Sequence, residues 1–286
     1  MQILNVEKTL FNYCLIIVGV GTTLYVGLCL LLFWGQNRLI FFPDSQVKST
    51  PEKYQLDYED VWINSDREKI HGWWIPAAKE SAPAVMYFHG NASNNGDVVD
   101  NAAVFHNLGL STLLVDYRGY GKSSPTFPNE TIVYKDAAAA WQYLTKTREL
   151  KPKNIFVYGH SLGGAIAINL ATQQPDMAGL IVEGTFTSIR AMSSLNPWFK
   201  LLPLDLIVNQ RFDSINKIAA IKMPLLIFHG TDDEIIPAQM AQQLYEKALQ
   251  PKELVFVPKA EHDNVHKVGS SEYILNLKQF IRENSQ

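Results

Sequence analysis

The chain has 286 residues, of which 47% are hydrophobic and 11% are aromatic. This composition is sufficient for a sizeable packed core and excludes a disordered chain. The net charge of -3 provides no basic surplus to neutralise phosphate groups, which argues against a nucleic-acid partner.

The first element along the chain is an apolar stretch that contains both cysteines, Cys14 and Cys29. From position 14 to position 34 there are 21 residues without a charge, and a helix of that length spans about 30 Å, the hydrocarbon core of a bilayer. A cleaved signal peptide fits less well, because the run is too long and no small-x-small site follows it. We therefore predict an N-terminal segment, 1–36, with one transmembrane anchor at about 14–34. The flanking charges of Lys8, Arg38 and Lys48 predict no orientation, so the side of the membrane stays open.

The rest of the chain, 37–286, has the pattern of one α/β domain. Runs at 58–63 and 69–75 predict an antiparallel hairpin. Six short, nearly continuous apolar runs follow, which are typical of strands buried on both faces of a parallel sheet. They lie at 84–88, 111–116, 154–159, 179–184, 224–230 and 253–257.

Helix-length stretches separate these runs, so the sequence predicts a doubly wound, mostly parallel sheet flanked by helices. The helices are predicted at about 95–107, 131–147, 161–174, 238–249 and 265–283. The interval 187–220 interrupts the alternation with a long irregular stretch.

One motif directly follows a predicted strand and opens a helix. Gly159, Ser161 and Gly163 form the G-x-S-x-G pattern of a nucleophile elbow. In a tight strand-turn-helix connection a Cβ at either glycine would collide with its surroundings, and the central residue takes a strained backbone conformation. A chance match is the competing interpretation, and the flanking strand and helix argue against it. We predict that Ser161 is a nucleophile.

A serine hydroxyl needs a base, and the base needs an acid that orients it. In folds with this elbow the acid follows the serine in the chain, and the histidine follows the acid. Asp233 and His262 each follow a predicted strand in that order, so we predict that they are the acid and the base. Asp232 is the second choice for the acid, and we expect it instead to cap the next helix. Glu183 is a weaker alternative.

Two backbone groups are predicted to stabilise the oxyanion that develops during acyl transfer. One is the N–H of Leu162, the residue after the nucleophile. The other is the N–H of Asn91, in the loop after the strand at 84–88, where Gly90 permits a close approach. An ordinary strand-to-helix turn is the competing interpretation, because glycine is common in such turns.

A metal site is the alternative use of the histidine region. His262, Asp263 and His266 have a spacing that suits a zinc ligand pair. No third cluster accompanies them in the sequence, so we predict no metal.

Together these residues resemble the α/β-hydrolase superfamily, and more narrowly its membrane-anchored, bud-emergence-type branch. The resemblance lies in RLIFFPD, YFHGNASN, LLVDYRGYGKS, VYGHSLGG, EGTFTSI and HGTDDEIIP, which cover most of 38–265. It implies an eight-stranded, mostly parallel sheet, a Ser161–Asp233–His262 triad, a cap insertion at about 187–220, and no cofactor. The residues before the histidine, Lys259 to Glu261, depart from the small residues usual in the family.

The expected function is that of a single-pass membrane serine hydrolase that cleaves a carboxylic ester or thioester. The apolar cap residues suggest a channel for an acyl chain of a lipid or acylated substrate, although they could equally pack the cap onto the core. A peptidase or amidase of the aminopeptidase-like kind is the alternative enzyme. A non-catalytic homologue that binds a ligand is the alternative outside enzymes.

Overall fold

A computed structural model describes residues 2–285 of the chain, with side chains from position 9 onward. Eight strands form one sheet in the described residues, at the places that the apolar runs predict. Their bounds are β1 Glu59–Ser65, β2 Glu68–Ile75, β3 Ala84–Phe88, β4 Ser111–Val115, β5 Ile155–His160, β6 Gly179–Glu183, β7 Leu225–Gly230 and β8 Lys252–Val257.

The strand order across the sheet is β1-β2-β4-β3-β5-β6-β7-β8. Strand β2 is antiparallel to β1 and β4, whereas the pairings from β4 to β8 are parallel. The order reverses around β3, so the chain winds outward in both directions from the centre of the sheet. The carboxyl ends of β3, β5, β6, β7 and β8 therefore meet along one edge, where open α/β sheets place their sites.

Nine α-helices connect and cover these strands in the described part of the chain. They are α1 Gln2–Ile40, α2 Val99–Asn107, α3 Glu130–Gln142, α4 Leu162–Gln173, α5 Ile189–Ser193, α6 Leu204–Ile207, α7 Ser214–Lys217, α8 Ala238–Lys247 and α9 Val265–Asn284. The predicted helix at 131–147 is α3 followed by a π-helical turn, Tyr143–Thr147. Within α9 the backbone kinks at Ser270, where φ is 32°.

The core has two parts, one on each face of the sheet. Strand β5 shows the division, because Ile155 and Val157 pack into one cluster while Phe156 and Tyr158 pack into the other, and all four are fully buried. Alternate residues of a strand point to opposite faces, so a strand covered on both sides must be apolar throughout. The sheet is thereby held rigidly between two layers of helices.

The interval 187–220 folds into α5, α6 and α7 with 3-10 turns between them, including Pro197–Leu201. It lies against α1, which continues past Trp34 to Ile40. The part of α1 from Thr9 to Ile40 is long and apolar enough to cross a membrane, and its apolar stretch is exposed in the structure. We call residues 187–220 the cap from here on.

Candidate active site

Ser161 lies in a sharp turn between β5 and α4. Its φ of 54° and ψ of -118° lie outside the regions that L-residues normally adopt, and such strain is characteristic of functional sites. A Cβ on Gly159 would overlap the carbonyl of Gly163, and a Cβ on Gly163 would overlap the carbonyl of Phe88. The glycines therefore let the turn close, as the motif predicts.

The structure brings the three predicted side chains together. The Oγ of Ser161 lies 3.0 Å from Nε2 of His262, and Nδ1 of His262 lies 2.7 Å from Oδ2 of Asp233. The exposed fractions of Ser161, Asp233 and His262 are 9%, 8% and 7%. These hydrogen bonds join a hydroxyl, an imidazole and a carboxylate in one nearly buried line at the edge of the sheet.

The turn after β7 holds the carboxylate of Asp233 in place. Its Oδ1 accepts hydrogen bonds from the backbone N–H groups of Ile235 and Ile236, at 2.9 and 2.8 Å. The other oxygen, Oδ2, is thereby directed to His262. One carboxylate oxygen fixes the side chain, and the other orients the imidazole.

The loop before His262 is tied to the loop that carries the acid. The N–H of Asp232 donates to the carbonyl of Ala260 at 2.9 Å, and the N–H of Lys259 donates to the hydroxyl of Thr231 at 2.8 Å. Ala260 is fully buried, so a small side chain is required there even though both of its neighbours are exposed. The departure from small residues at Lys259 and Glu261 therefore falls on the solvent side of the loop.

The charges in this line shift the pKa of both titratable groups. Burial alone lowers the pKa of His262, but the hydrogen bond and charge of Asp233 outweigh it, so the pKa of His262 is raised. Burial raises the pKa of Asp233, but the hydrogen bonds from His262 and from the N–H of Ile236 outweigh it, so the pKa of Asp233 is lowered. The pair thus favours a charged carboxylate and stabilises a protonated imidazole.

The other two candidate acids have different partners. The exposed carboxylate of Asp232 accepts a hydrogen bond from Thr231 at 2.8 Å. The expectation that Asp232 caps the next helix is wrong, because α8 begins after Pro237 without a side-chain cap. Glu183, at the end of β6, is buried and accepts a hydrogen bond from the hydroxyl of Tyr158 at 2.6 Å. Among these three carboxylates, His262 forms its hydrogen bond with Asp233.

The two predicted oxyanion donors lie beside the serine. Leu162 is the first residue of α4, where a backbone N–H has no partner within the helix. A Cβ on Gly90 would lie 3.3 Å from Cβ of Ser161, so the loop that contains Asn91 passes next to the nucleophile. In the described residues, the N–H groups of Asn91 and Leu162 have no hydrogen-bond acceptor.

The side chain of Asn91 has a role that the sequence did not reveal. Its Oδ1 accepts hydrogen bonds from the N–H of Phe42 and the hydroxyl of Tyr120, at 3.0 and 2.8 Å, and its Nδ2 donates to the carbonyl of Ile40. Asn91 thus connects the loop beside Ser161 to the chain that leaves α1.

A cavity of about 770 Å³ opens above the serine. One wall is polar and includes Lys48, Asp97, Asp100 and Lys267. The other wall is apolar and combines the end of α1 with the cap, through Leu39, Ile40, Phe42, Phe186, Ile189 and Met192. The contribution of residues 39–42 was not foreseen, because it depends on how α1 packs against the domain.

The zinc spacing noted in the sequence does not form a ligand set. His266 turns away and pairs with Asp100 at 3.3 Å. His160, His262 and Asp263 do place possible ligand atoms within 4.8 Å of one another. Both ring nitrogens of His262 already have partners in the line from Ser161 to Asp233, so a metal there would have to displace one of them.

The loop after β4 contributes a buried ion pair and no catalytic group. Arg118 is 4% exposed, and its Nε donates to Oδ1 of the fully buried Asp136 at 2.8 Å. The hydroxyl of Ser65 donates to the same carboxylate at 2.6 Å. This network attaches α3 to the hairpin of β1 and β2, which is a structural role for Arg118.

The matching family model is described as serine aminopeptidase, S33, and it covers residues 79–214 and 207–267. Protein bem46 of Schizosaccharomyces pombe is 33% identical over 224 residues, which cover 72% of each chain. The chain belongs to the α/β-hydrolase superfamily. Within this superfamily it is a bem46-type protein.

Two further similarities concern an enzyme and a fold. The lysophosphatidylserine lipase ABHD12 of Danio rerio is 33% identical over 199 residues, which cover 64% of this chain and 51% of the lipase. The esterase Pf2001 of Pyrococcus furiosus has a TM-score of 0.71 at 21% identity, over 86% of this chain and 98% of the esterase. The eight-stranded, mostly parallel sheet of this α/β-hydrolase agrees with that likeness of fold.

Proposed function

We propose that this α/β-hydrolase is a membrane-anchored serine hydrolase that cleaves a carboxylic ester or thioester through an acyl-enzyme on Ser161. The observation that carries the proposal is the hydrogen-bonded line from Ser161 through His262 to Asp233 at the bottom of the cavity. A hydroxyl, an imidazole and a carboxylate in this order form the arrangement that acyl transfer requires.

The reaction follows from the positions of these groups. Ser161 Oγ attacks the substrate carbonyl while Nε2 of His262 takes its proton, and Asp233 stabilises the resulting imidazolium. The N–H groups of Asn91 and Leu162 stabilise the oxyanion. His262 returns the proton to the departing alcohol or thiol. A water molecule, deprotonated by His262, then attacks the acyl-enzyme, which releases the acid and restores the serine.

The cavity favours an ester of an amphiphile over a peptide. One wall is apolar and the other is charged, which suits an acyl chain joined to a polar group. The related ABHD12 is named as a lysophosphatidylserine lipase, which is in keeping with such a substrate. The family description as a serine aminopeptidase keeps an amide substrate as the second candidate.

The apolar stretch of α1 supports the anchor in this proposal. Its side chains are exposed at all of residues 9–28, and an exposed apolar helix of about this length is stable in a bilayer. We expect the full chain to stay with membranes after alkaline carbonate extraction. Recovery in the soluble fraction, or a mature N-terminus beyond position 34, would contradict the anchor.

A fluorophosphonate probe tests the nucleophile. We expect it to label the wild type and the matched variant Ser81→Ala, whose serine is exposed and remote from the described cavity lining, but not Ser161→Ala. Mass spectrometry of protein quenched during turnover of p-nitrophenyl butyrate should find the butyryl group on Ser161. An unlabelled but folded wild type would favour the non-catalytic binder.

A series of substrates tests the substrate class. We expect p-nitrophenyl esters to be cleaved with kcat/KM that increases from acetate to decanoate, because the longer chain reaches the apolar wall. Equal values across the series would contradict the acyl channel. Faster cleavage of aminoacyl p-nitroanilides than of all esters would favour the peptidase.

A further inference from the structure

The cap presents an apolar surface to its surroundings. The side chains of Leu195, Trp198, Leu201 and Leu206 are 49%, 76%, 69% and 77% exposed. Single exposed apolar residues are normal, but several within one short segment are typical of an interaction site. We call these four residues the cap face.

Hydrogen bonds place the cap face beside α1. The hydroxyl of Tyr25 donates to the carbonyl of Leu201 at 2.9 Å, and Nε2 of Gln36 donates to the carbonyl of Ile207 at 3.0 Å. Oε1 of Gln36 accepts the N–H of Asn209 at 2.9 Å. Tyr25 and Gln36 are about 16 Å apart along a helix. The cap therefore follows α1 over roughly half the thickness of a bilayer core.

The length of α1 determines where a bilayer would lie relative to the contact between α1 and the cap. The apolar part, Thr9–Ile40, is about 48 Å long as a helix, so a core of about 30 Å covers only part of it. The apolar run ends at Trp34, and Tyr25 is about 13 Å farther toward the N-terminus. A bilayer core that contains residues 14–34 therefore ends near Trp34, within the part of α1 that the cap contacts.

The contact at Tyr25 is also suited to lipid. A tyrosine hydroxyl in an apolar medium needs a hydrogen-bond partner, and so does a carbonyl outside regular structure. The hydroxyl of Tyr25 and the carbonyl of Leu201 satisfy each other. The neighbours of Tyr25 in the chain, Leu24 and Val26, are apolar and are 69% and 49% exposed.

We propose that the cap face inserts into the bilayer leaflet next to the hydrolase domain, so that α1 and the cap together form the membrane-bound surface. This inference rests on the proposed anchor. The contact of Leu201 with Tyr25 sets the depth of insertion, at up to about 13 Å from the end of the apolar run at Trp34. Asp205 is paired with Arg190, and the long stem of Lys200 allows its ammonium group to reach water.

The same arrangement joins the bilayer to the active site. Leu39 and Ile40 at the end of α1 and Ile189 and Met192 of the cap line the cavity above the serine. The two elements that contact the bilayer in this proposal therefore also supply apolar lining to the cavity. A lipid ester in the membrane is therefore the substrate presentation that this geometry fits.

Site-specific labelling of the full chain tests the insertion. In a protein with Cys14→Ser and Cys29→Ser, an environment-sensitive fluorophore is attached through Trp198→Cys or Leu206→Cys in phosphatidylcholine vesicles. Leu24→Cys reports on α1, and Leu275→Cys, an exposed leucine of α9 that is 65% exposed, is the matched control. We expect lipids with a nitroxide on the acyl chain to quench the cap labels at least fivefold more than the control, and aqueous iodide to do the reverse.

Each other result overturns the inference. If the cap labels are quenched like Leu275→Cys while Leu24→Cys is quenched by the lipid nitroxide, the insertion of the cap is contradicted and the anchor is retained. Both cap and α1 labels in water would contradict the anchor as well. Cap labels shielded from both quenchers would indicate a second copy of the chain on the cap face instead of lipid. The measurement does not depend on turnover, so failure of the serine mechanism leaves its result interpretable.

Discussion

The role of Asp233 provides the sharpest test, because the structure predicts which way an asparagine would turn. Two N–H groups, from Ile235 and Ile236, meet Oδ1 at 2.9 and 2.8 Å, so in Asp233→Asn the amide oxygen must occupy that position. The amide NH₂ then faces Nδ1 of His262, 2.7 Å away in the wild type. Nδ1 of His262 must then accept a hydrogen bond from this amide, so the ring proton moves to Nε2. With a proton on Nε2, His262 cannot accept the proton of Ser161.

We expect Asp233→Asn to lower kcat for p-nitrophenyl butyrate by about 10⁴-fold, which is about 5.5 kcal/mol, as when a triad is held in the wrong tautomer. The matched control is Asp232→Asn, whose exposed carboxylate contacts only Thr231 among the described hydrogen bonds, and it should stay within about twofold. A second readout is pH. Burial lowers the pKa of His262, and the Asp233 carboxylate is the strongest of the groups that raise it, so loss of this carboxylate should move the acid limb to lower pH. A loss below 100-fold in folded Asp233→Asn, or an equal loss in the control, would refute the assignment.

Three further predictions concern the elbow, its base and its supports. In the wild type, kcat/KM should increase with pH along a limb whose midpoint lies above 6.5, because the imidazole of His262 must be neutral and its pKa is raised; a midpoint below 6 would contradict this. Gly163→Ala should lower the free energy of unfolding in urea by about 1–3 kcal/mol, because its Cβ would overlap the carbonyl of Phe88; wild-type stability would show that the turn is looser. Arg118→Leu should lower the free energy of unfolding by about 3–5 kcal/mol in the same assay, because the charge of Asp136 would remain buried without its counter-ion; a change under 1 kcal/mol would disprove the ion pair's role.

The sheet could be predicted because each buried strand requires a continuous apolar run. Phe156 and Tyr158 face one helical layer, and Ile155 and Val157 face the other, so no polar residue interrupts β5 before Gly159. The ends of helices were less predictable. The kink at Ser270, where φ is 32°, lies within a stretch that we predicted as one helix, although Gly269 and Ser270 form the kind of glycine-serine pair at which helices often kink.

The positions of the triad residues could be predicted for a different reason. The carboxyl ends of parallel strands share one edge, so residues that follow β5, β7 and β8 in the chain are neighbours in space. Chain order then selected Ser161, Asp233 and His262 as candidates without any knowledge of loop shape, and the structure joins their side chains by hydrogen bonds. The choice between Asp232 and Asp233 depended on spacing, and the structure gives its physical basis, since only Asp233 has N–H donors that direct its second oxygen to the imidazole.

The contribution of the N-terminal helix could not be predicted, because it depends on contacts between residues far apart in sequence. The hydrogen bond from Tyr25 to Leu201 joins positions separated by 176 residues, and neither residue belongs to a recognisable motif. The residue pattern predicted only an irregular interval at 187–220, and the family resemblance identified this interval as a cap insertion. The sequence alone does not distinguish which apolar residues of the cap are buried and which are exposed. In the structure Leu204 and Ile207 are buried, whereas Leu206 is exposed.

The side chain of Asn91 connects the end of α1 to the loop beside Ser161. Its backbone N–H is the proposed oxyanion donor, whereas its side chain holds the N–H of Phe42 and the carbonyl of Ile40. The hydroxyl of Tyr120 makes the third bond, so the amide has little freedom to rotate. Catalysis by a preorganised donor requires that its position is set before the reaction begins. In this chain the side chain of Asn91 ties that position to residues 40 and 42, at and just after the end of α1.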